Sequence, residues 1–379
     1  MVKWSYLSLV FQLNFSALVF SNIPLDVQRE FHKHFISFGD TIESENISIP
    51  KHYVCFRTNN KIKIDGEINE QDWNLAPWTE DFQDIEGDVK PKPRFRTRAK
   101  LLWDHKYLYI AAELEEPHIW ATLKKDESII YHDNDFEVFI DPDGDTHQYY
   151  ELEVNAYGTK WDLMLPKPYK DGGYPINSWE ITGLKVGVKL YGTLNKPDDT
   201  DDKWTIELAL PWKVLKESAP GKRPPRDGDQ WKLNFSRVQW DVNIENNEYV
   251  KKKDPTTGRL LPENNWVWSP QGIINMHYPE MWGLIQFSKS AVGTNPKVFV
   301  DNSNESIKLK LREIYNKQKR YRRKHGSYSS SAEELNLSKS LMSLKPEIKT
   351  TASMFEAVCY DQNTGIRWHI RSDGKIWRE

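Results

Sequence analysis

The sequence predicts a mainly β protein, an antiparallel β-sandwich followed by a small α+β appendix. Three observations carry that expectation: period-two alternation in many short segments, turn-forming clusters between them, and an abrupt change to helical spacing after residue 295. No regular helices interleave with the strands, which argues against a parallel α/β sheet.

The strands follow in order. Arg98 to Leu102 leads through the turn Trp103-Asp104-His105-Lys106 into Tyr107 to Leu114, where Leu108, Ile110, Ala112 and Leu114 share one face. Phe136, Val138 and Ile140 alternate with Asp135, Glu137 and Phe139 before the break at Asp141-Pro142-Asp143-Gly144-Asp145. Tyr150, Leu152, Val154 and Ala156 alternate with Glu151, Glu153 and Asn155. Further strands are expected at 184–191, 203–210, 230–240 and 282–287, with a short helical turn opening at Pro211. Trp103, Trp161, Trp204, Trp231 and Trp282 sit within apolar alternation or beside strand ends and are assigned to the core.

The two ends of the chain differ from this pattern. Residues 1–21 read as a signal peptide: a lysine at position 3, an apolar run from Trp4 to Phe20, and small residues near Ser21. An uncleaved anchor is the alternative, so the expected location is exported, periplasmic or extracellular, either free or held at the membrane by this segment. Residues 22–50 form a polar leader, and the sandwich is expected over 51–288. In the appendix, 295–379, a basic helix spans Ser306 to His325 and a second helical pattern covers Ala332 to Leu344. A hairpin then pairs Phe355–Tyr360 with Arg367–Ile370, and Asp373-Gly374 turns into one more strand.

Composition narrows the functions. A net charge of −3, with basic and acidic residues interleaved, gives no broad field for nucleic acid. Two cysteines, Cys55 and Cys359, exclude a disulfide scaffold and a multi-thiolate zinc site. No phosphate-binding loop, nucleophile elbow or zinc-protease motif occurs.

Four segments together resemble the family 9 carbohydrate-binding modules and the wider DOMON-like group of sandwiches with two-sheet, immunoglobulin-like architecture. They are Ile64-Asp65-Gly66-Glu67-Ile68-Asn69-Glu70-Gln71-Asp72-Trp73, then Leu102-Trp103-Asp104 with Tyr107-Leu108-Tyr109-Ile110, then Asn134 to Asp141, and Trp204 to Trp212. Trp282-Gly283-Leu284-Ile285-Gln286-Phe287 closes the domain as that family does. The resemblance implies a site in which a sugar lies against aromatic rings while polar side chains bond its hydroxyls. Glu137 matches the family's carboxylate and Asn155 its asparagine; Tyr131 stands where a clamping tryptophan is expected, and Glu153 replaces an arginine. His277 and Tyr278 fall near the second clamp.

The expected ligand-binding set is therefore Tyr131, Glu137, Glu153, Asn155, His277 and Tyr278. Flat rings suit the apolar face of a pyranose, and Glu and Asn suit its hydroxyls. Asp141, Asp143 and Asp145 are spaced like the start of a calcium loop, which makes structural calcium the candidate cofactor, although an Asp/Gly-rich turn accounts for the same residues. The expected partner is a polysaccharide or oligosaccharide, with no nucleic acid and with association to glycan-degrading enzymes. The basic helix either holds an acidic glycan, holds the sandwich itself, or is an ordinary solvated face. Three functions remain open at this point: non-catalytic sugar binding in carbohydrate breakdown, an assembly module that has lost its sugar, and a hydrolase acting on glycosidic bonds with Glu137 and Glu153 as its pair.

Overall fold

The computed structural model describes residues 50–294, 297–301, 303–361 and 364–379. The expected signal peptide and, apart from Pro50, the leader lie outside the described residues.

Eighteen strands and four α-helices follow one another in the described chain. In the first half these are β1 (His52–Arg57), α1 (Gln71–Leu75), β2 (Gln83–Asp84), β3 (Thr97–Trp103), β4 (Tyr107–Glu115), β5 (Asp135–Asp141), β6 (Tyr149–Asn155) and β7 (Lys160–Leu165). Then come β8 (Lys185–Tyr191), β9 (Lys203–Pro211), α2 (Trp212–Leu215), β10 (Gln230–Gln239), β11 (Val242–Glu245), β12 (Glu248–Lys251), β13 (Asn264–Val267) and β14 (Gly283–Ala291). The appendix contains α3 (Ser303–His325), α4 (Lys339–Met342), β15 (Glu347–Thr350), β16 (Phe355–Tyr360), β17 (Arg367–Arg371) and β18 (Ile376–Arg378).

The large sheet runs β7-β6-β5-β10-β14-β1-β3-β4-β9-β8, with β13 and β2 branching from β10. It curls until its two wings share one core. Leu101, Ile110, Ile206 and Leu208 from one wing and Phe136, Val138, Leu152 and Phe235 from the other belong to the same buried cluster. Each wing has a continuous apolar face, and curling packs the two faces against each other, while smaller clusters around Trp73 and Trp282 cover parts of the outer faces.

The sheet is mixed, which corrects the antiparallel expectation. β1 lies parallel to β14 and to β3, while the other pairs in the sheet are antiparallel. Alternation has the same period in either direction, so the sequence pattern predicts which side chains face inward and is silent on strand direction. Through β1 the two wings join into one continuous sheet.

Several tryptophans are core, as the alternation implies. Trp212 meets Trp231 edge-on at 5.7 Å and 88°, and Phe287 meets Trp103 at 5.6 Å and 75°. The opening motif is structural as well. Trp73 of α1 is fully buried and donates its indole N–H to Glu207 of β9 at 2.7 Å, and the same carboxylate accepts the amides of Asp65 and Gly66. Gly66 has φ +88° and passes so close to β8 that a Cβ there would lie 2.5 Å from backbone atoms of Val188 and Lys189.

In the appendix, Ile307, Leu311 and Ile314 of α3 pack over the four-stranded sheet β15-β16-β17-β18. The helical pattern expected over 332–344 is broken: only α4 is helical, because Asn336 adopts φ +49° and Ser338 caps a new start by accepting the Leu341 amide. Cys55 and Cys359 are both buried free thiols; burial holds the first well above its usual pKa and pushes the second up to about 12.

Candidate functional site

The core face of β5 and β6 is apolar, so Asp135, Glu137, Glu151, Glu153 and Asn155 point to the opposite face. Cross-strand register assembles them. Glu137 stands opposite Glu153, Phe139 opposite Glu151 and Asp135 opposite Asn155. Ser236 of β10 lies beside Glu137 on one side, and Trp161 of β7 lies beside Glu153 on the other. Asp135, Glu137, Glu151 and Glu153 are each at most 5% exposed. They form the floor of a strip, with its rings around them.

Tyr131 sits in a single 3-10 turn just before β5. Its N–H donates to Glu153 Oε2 at 2.8 Å, and its carbonyl accepts the Trp240 indole at 2.8 Å, which fixes the residue at the edge of the carboxylates. His277 reaches the strip from the loop before β14. One ring nitrogen lies 2.9 Å from the Tyr149 hydroxyl and the other 3.9 Å from Glu151.

Two predicted residues have other work. Asn155 donates to the Leu123 carbonyl and to Asp133 and accepts the amides of Tyr157 and Thr159, so its amide braces the adjoining loops. Tyr278 is buried beneath the Lys170 ammonium, 3.6 Å from its ring centre, and Lys170 in turn pairs with Glu280. The structure thus brings together Tyr131, Glu137, Glu153 and His277, and keeps Tyr278 in the seat of the appendix.

Two site residues were not anticipated. Trp161, assigned to the core by its sequence setting, is only partly buried and shares the face of Glu153. The signal was its parity with Leu163 and Leu165, which face away from the main core. Tyr169 packs edge-on against His277 at 4.4 Å between ring centres. Burial, then the charges of Glu151 and Glu153, hold its phenol well above its usual pKa.

The electrostatics of the strip are unusual. Burial pushes Glu137 up to about 7. Burial and then the charge of Glu137 raise Asp135, Glu151 and Glu153 well above the ordinary carboxylate range. The acids repel one another in a dry setting.

The Asp141 turn meets its charge differently. Asp141 accepts the amides of Gly144 and Thr146 through its two oxygens, and Asp145 pairs with Lys375 at 2.9 Å. Lys308 donates to the Gly144 carbonyl and Arg312 to the Thr146 hydroxyl. One oxygen each of Asp141, Asp143 and Asp145 lies within 4.8 Å of the others, so the fold brings the predicted trio together, in an Asp/Gly turn that its own amides and Lys375 of the appendix also hold. A shallow cleft on the other wing, lined by Arg96, Glu113, Glu115, Asp202 and Lys203, offers charge but no aromatic ring.

The domain is a curled β-sheet that carries a row of buried carboxylates on the face away from its main core, with Tyr131, Trp161 and Tyr169 at its edges. Residues 64–256 match the family described as carbohydrate family 9 binding domain-like, and the chain belongs to that family. Among curated proteins, it is 28% identical over 153 residues to endo-1,4-beta-xylanase A of Thermotoga maritima, covering 40% of this chain and 12% of that protein. It is 29% identical over 114 residues to exoglucanase XynX of Acetivibrio thermocellus, covering 30% of this chain and 9% of that protein. The chain thus spans only about an eighth or less of these relatives. Among solved structures, a family 9 carbohydrate-binding module from Caldicellulosiruptor kristjanssonii in complex with cellotriose aligns with a TM-score of 0.40 and 16% identity, over 65% of this chain and 99% of that one. The same organism's module with glucose aligns at 0.40 and 17%, over 64% and 100%.

Proposed function

We propose that the curled-sheet domain binds an oligosaccharide or polysaccharide without cleaving it, along the strip bounded by Tyr131, Trp161 and Tyr169. The observation that carries this reading is the cross-strand placement of Glu137 against Glu153 with Tyr131 bonded to the latter, on the face turned away from the core. Aromatic faces there suit the C–H face of a pyranose, and the acids accept hydroxyl protons.

The hydrolase alternative is disfavoured by the same geometry. A glycosidic bond must lie between the two carboxyls of a glycosidase. Here one oxygen each of Glu137 and Glu153 lies within 4.8 Å of the other, and the residues are 4% and 1% exposed. Burial that deep, rather than the separation, keeps a glycosidic bond from entering between the two carboxyls.

Three broader expectations belong with this reading. The matched relatives are xylanases and an exoglucanase, which supports association with glycan-degrading enzymes. The apolar run from Trp4 to Phe20 supports export. The two wings sharing one core support the two-sheet, DOMON-like description, with β1 as the hinge between them.

Calorimetric titration with glucose, cellotriose and xylan oligomers tests the proposal, with Tyr131→Ala, Trp161→Ala and Glu137→Ala as probes. Saturable heat that weakens at least tenfold in the two ring variants is expected. Heat that persists unchanged in all three variants would move the site elsewhere. Absence of heat with every sugar favours the assembly module that has lost its ligand, a reading to which the burial of Glu137 and Glu153 lends weight.

A further inference from the structure

Three buried acids in this fold meet cations. Glu116 pairs with Arg237 at 3.0 Å, Glu280 with Lys170, and Glu305 with Lys232 at 3.0 Å. Asp135, Glu137 and Glu153 do not: the charges that act most strongly on them are those of other carboxylates. Two of their oxygens, Asp135 Oδ2 and Glu137 Oε2, are buried without a hydrogen-bond partner, and the Ser236 hydroxyl lies beside Glu137 on the neighbouring strand. Residues that are 0% and 4% exposed cannot satisfy such oxygens from bulk water.

The arrangement has the dimensions of a cation site. One oxygen from each of the three carboxylates lies within 4.8 Å of the others. Oxygens bound to calcium at roughly 2.3–2.6 Å can be no more than about 5 Å apart across the ion. Three carboxylates, each able to bind through one or two oxygens, plus the Ser236 hydroxyl reach the six to eight oxygens calcium takes. No histidine or cysteine joins the cluster, which argues against zinc and copper, and a buried all-protein cage suits calcium better than magnesium, which retains its waters.

We propose that Asp135, Glu137 and Glu153 form a calcium-class divalent cation site beneath the strip. The site shares Glu137 and Glu153 with the proposed sugar strip, and its test contains no sugar, so the two readings can fail separately. It is also separate from the Asp141 turn, where Asp141 accepts the Gly144 and Thr146 amides of its own turn and Asp145 pairs with Lys375 of the appendix.

The full chain, stripped with chelator and exchanged into metal-free buffer, is titrated with calcium alone by calorimetry. Terbium luminescence excited through indole provides a second readout, because Trp161 adjoins Glu153. One tight equivalent is expected, with a rise in Tm on adding calcium. Asp135→Asn and Glu153→Gln should each weaken binding at least tenfold and abolish the calcium-dependent rise, while Asp143→Asn leaves both intact. Since removing charge relieves repulsion, the metal-free amide variants should be at least as stable as the metal-free parent. No bound equivalent in the parent would overturn the proposal by itself and leave protons as the neutralising species. Binding that survives both cluster variants, or disappears in Asp143→Asn, would overturn it equally.

Discussion

Tyr315 of α3 donates its hydroxyl to Asp171, two residues beyond the Tyr169 ring that edges the strip. Lys319, one turn further along the helix, pairs with the same carboxylate at 3.1 Å. The appendix therefore holds the loop that carries one ring of the proposed strip. Tyr315→Phe should preserve the far-ultraviolet circular dichroism and weaken sugar binding about three- to tenfold, since Lys319 still holds the loop. Unchanged affinity would mean that the loop is held without α3.

Docking of the appendix should depend on acid. Burial alone would raise Glu305, but Lys232 and Lys308 outweigh it and hold its carboxyl at about 2, below its usual 4.5. A carboxylate with a depressed folded pKa adds stability that is fully present above 4.5 and lost as the pH falls toward 2. Hydrogen exchange over α3 should therefore accelerate across that interval. Glu305→Gln should already exchange faster at pH 7 and respond less to acid.

Arg237 of β10 is 1% exposed and bonds Glu116, Thr97 and Gln239. Arg237→Ala leaves Glu116 buried and without its ion-pair partner, at an expected cost of about 3–5 kcal/mol. Chemical denaturation reads this as a lower midpoint, and a loss under 1 kcal/mol would mean that water replaces the guanidinium.

Gly66→Ala puts a methyl 2.5 Å from the β8 backbone at a positive φ. Strain and overpacking together should cost about 2–5 kcal/mol. Thermal unfolding measures it directly, and a neutral result would mean that β8 moves aside at little cost.

Much of the fold was legible because alternation is a direct imprint of a half-buried sheet. β4, β5, β6 and β9 follow from where their apolar residues fall. What escaped has definite causes. Glu305, Lys308, Arg312, Tyr315 and Lys319 recur at intervals of three and four along α3, and all reach the curled sheet or its loops. A polar stripe of that kind looks solvent-facing in sequence, since only an apolar stripe signals burial. The β11-β12 hairpin turns on Asn246 and Asn247, both at positive φ, in a segment too polar to read as paired strands. At the site, the sequence pointed to Tyr131, Glu137 and Glu153. It could not distinguish Asn155 as a loop brace, because an amide that bonds sugars and one that bonds backbone look identical along the chain. Trp161 was hidden by the number of tryptophans that are core.

The parallel pairing of β1 with β14 gives the domain a mechanical character. Chain entering at β1 and leaving after β14 does so at opposite ends of one seam, along which six residues of β1 are paired. A pull on the two ends loads those hydrogen bonds together, in shear, whereas an antiparallel seam would open one bond at a time. A domain pulled by the chain before β1 and the chain after β14 would resist extension through that seam.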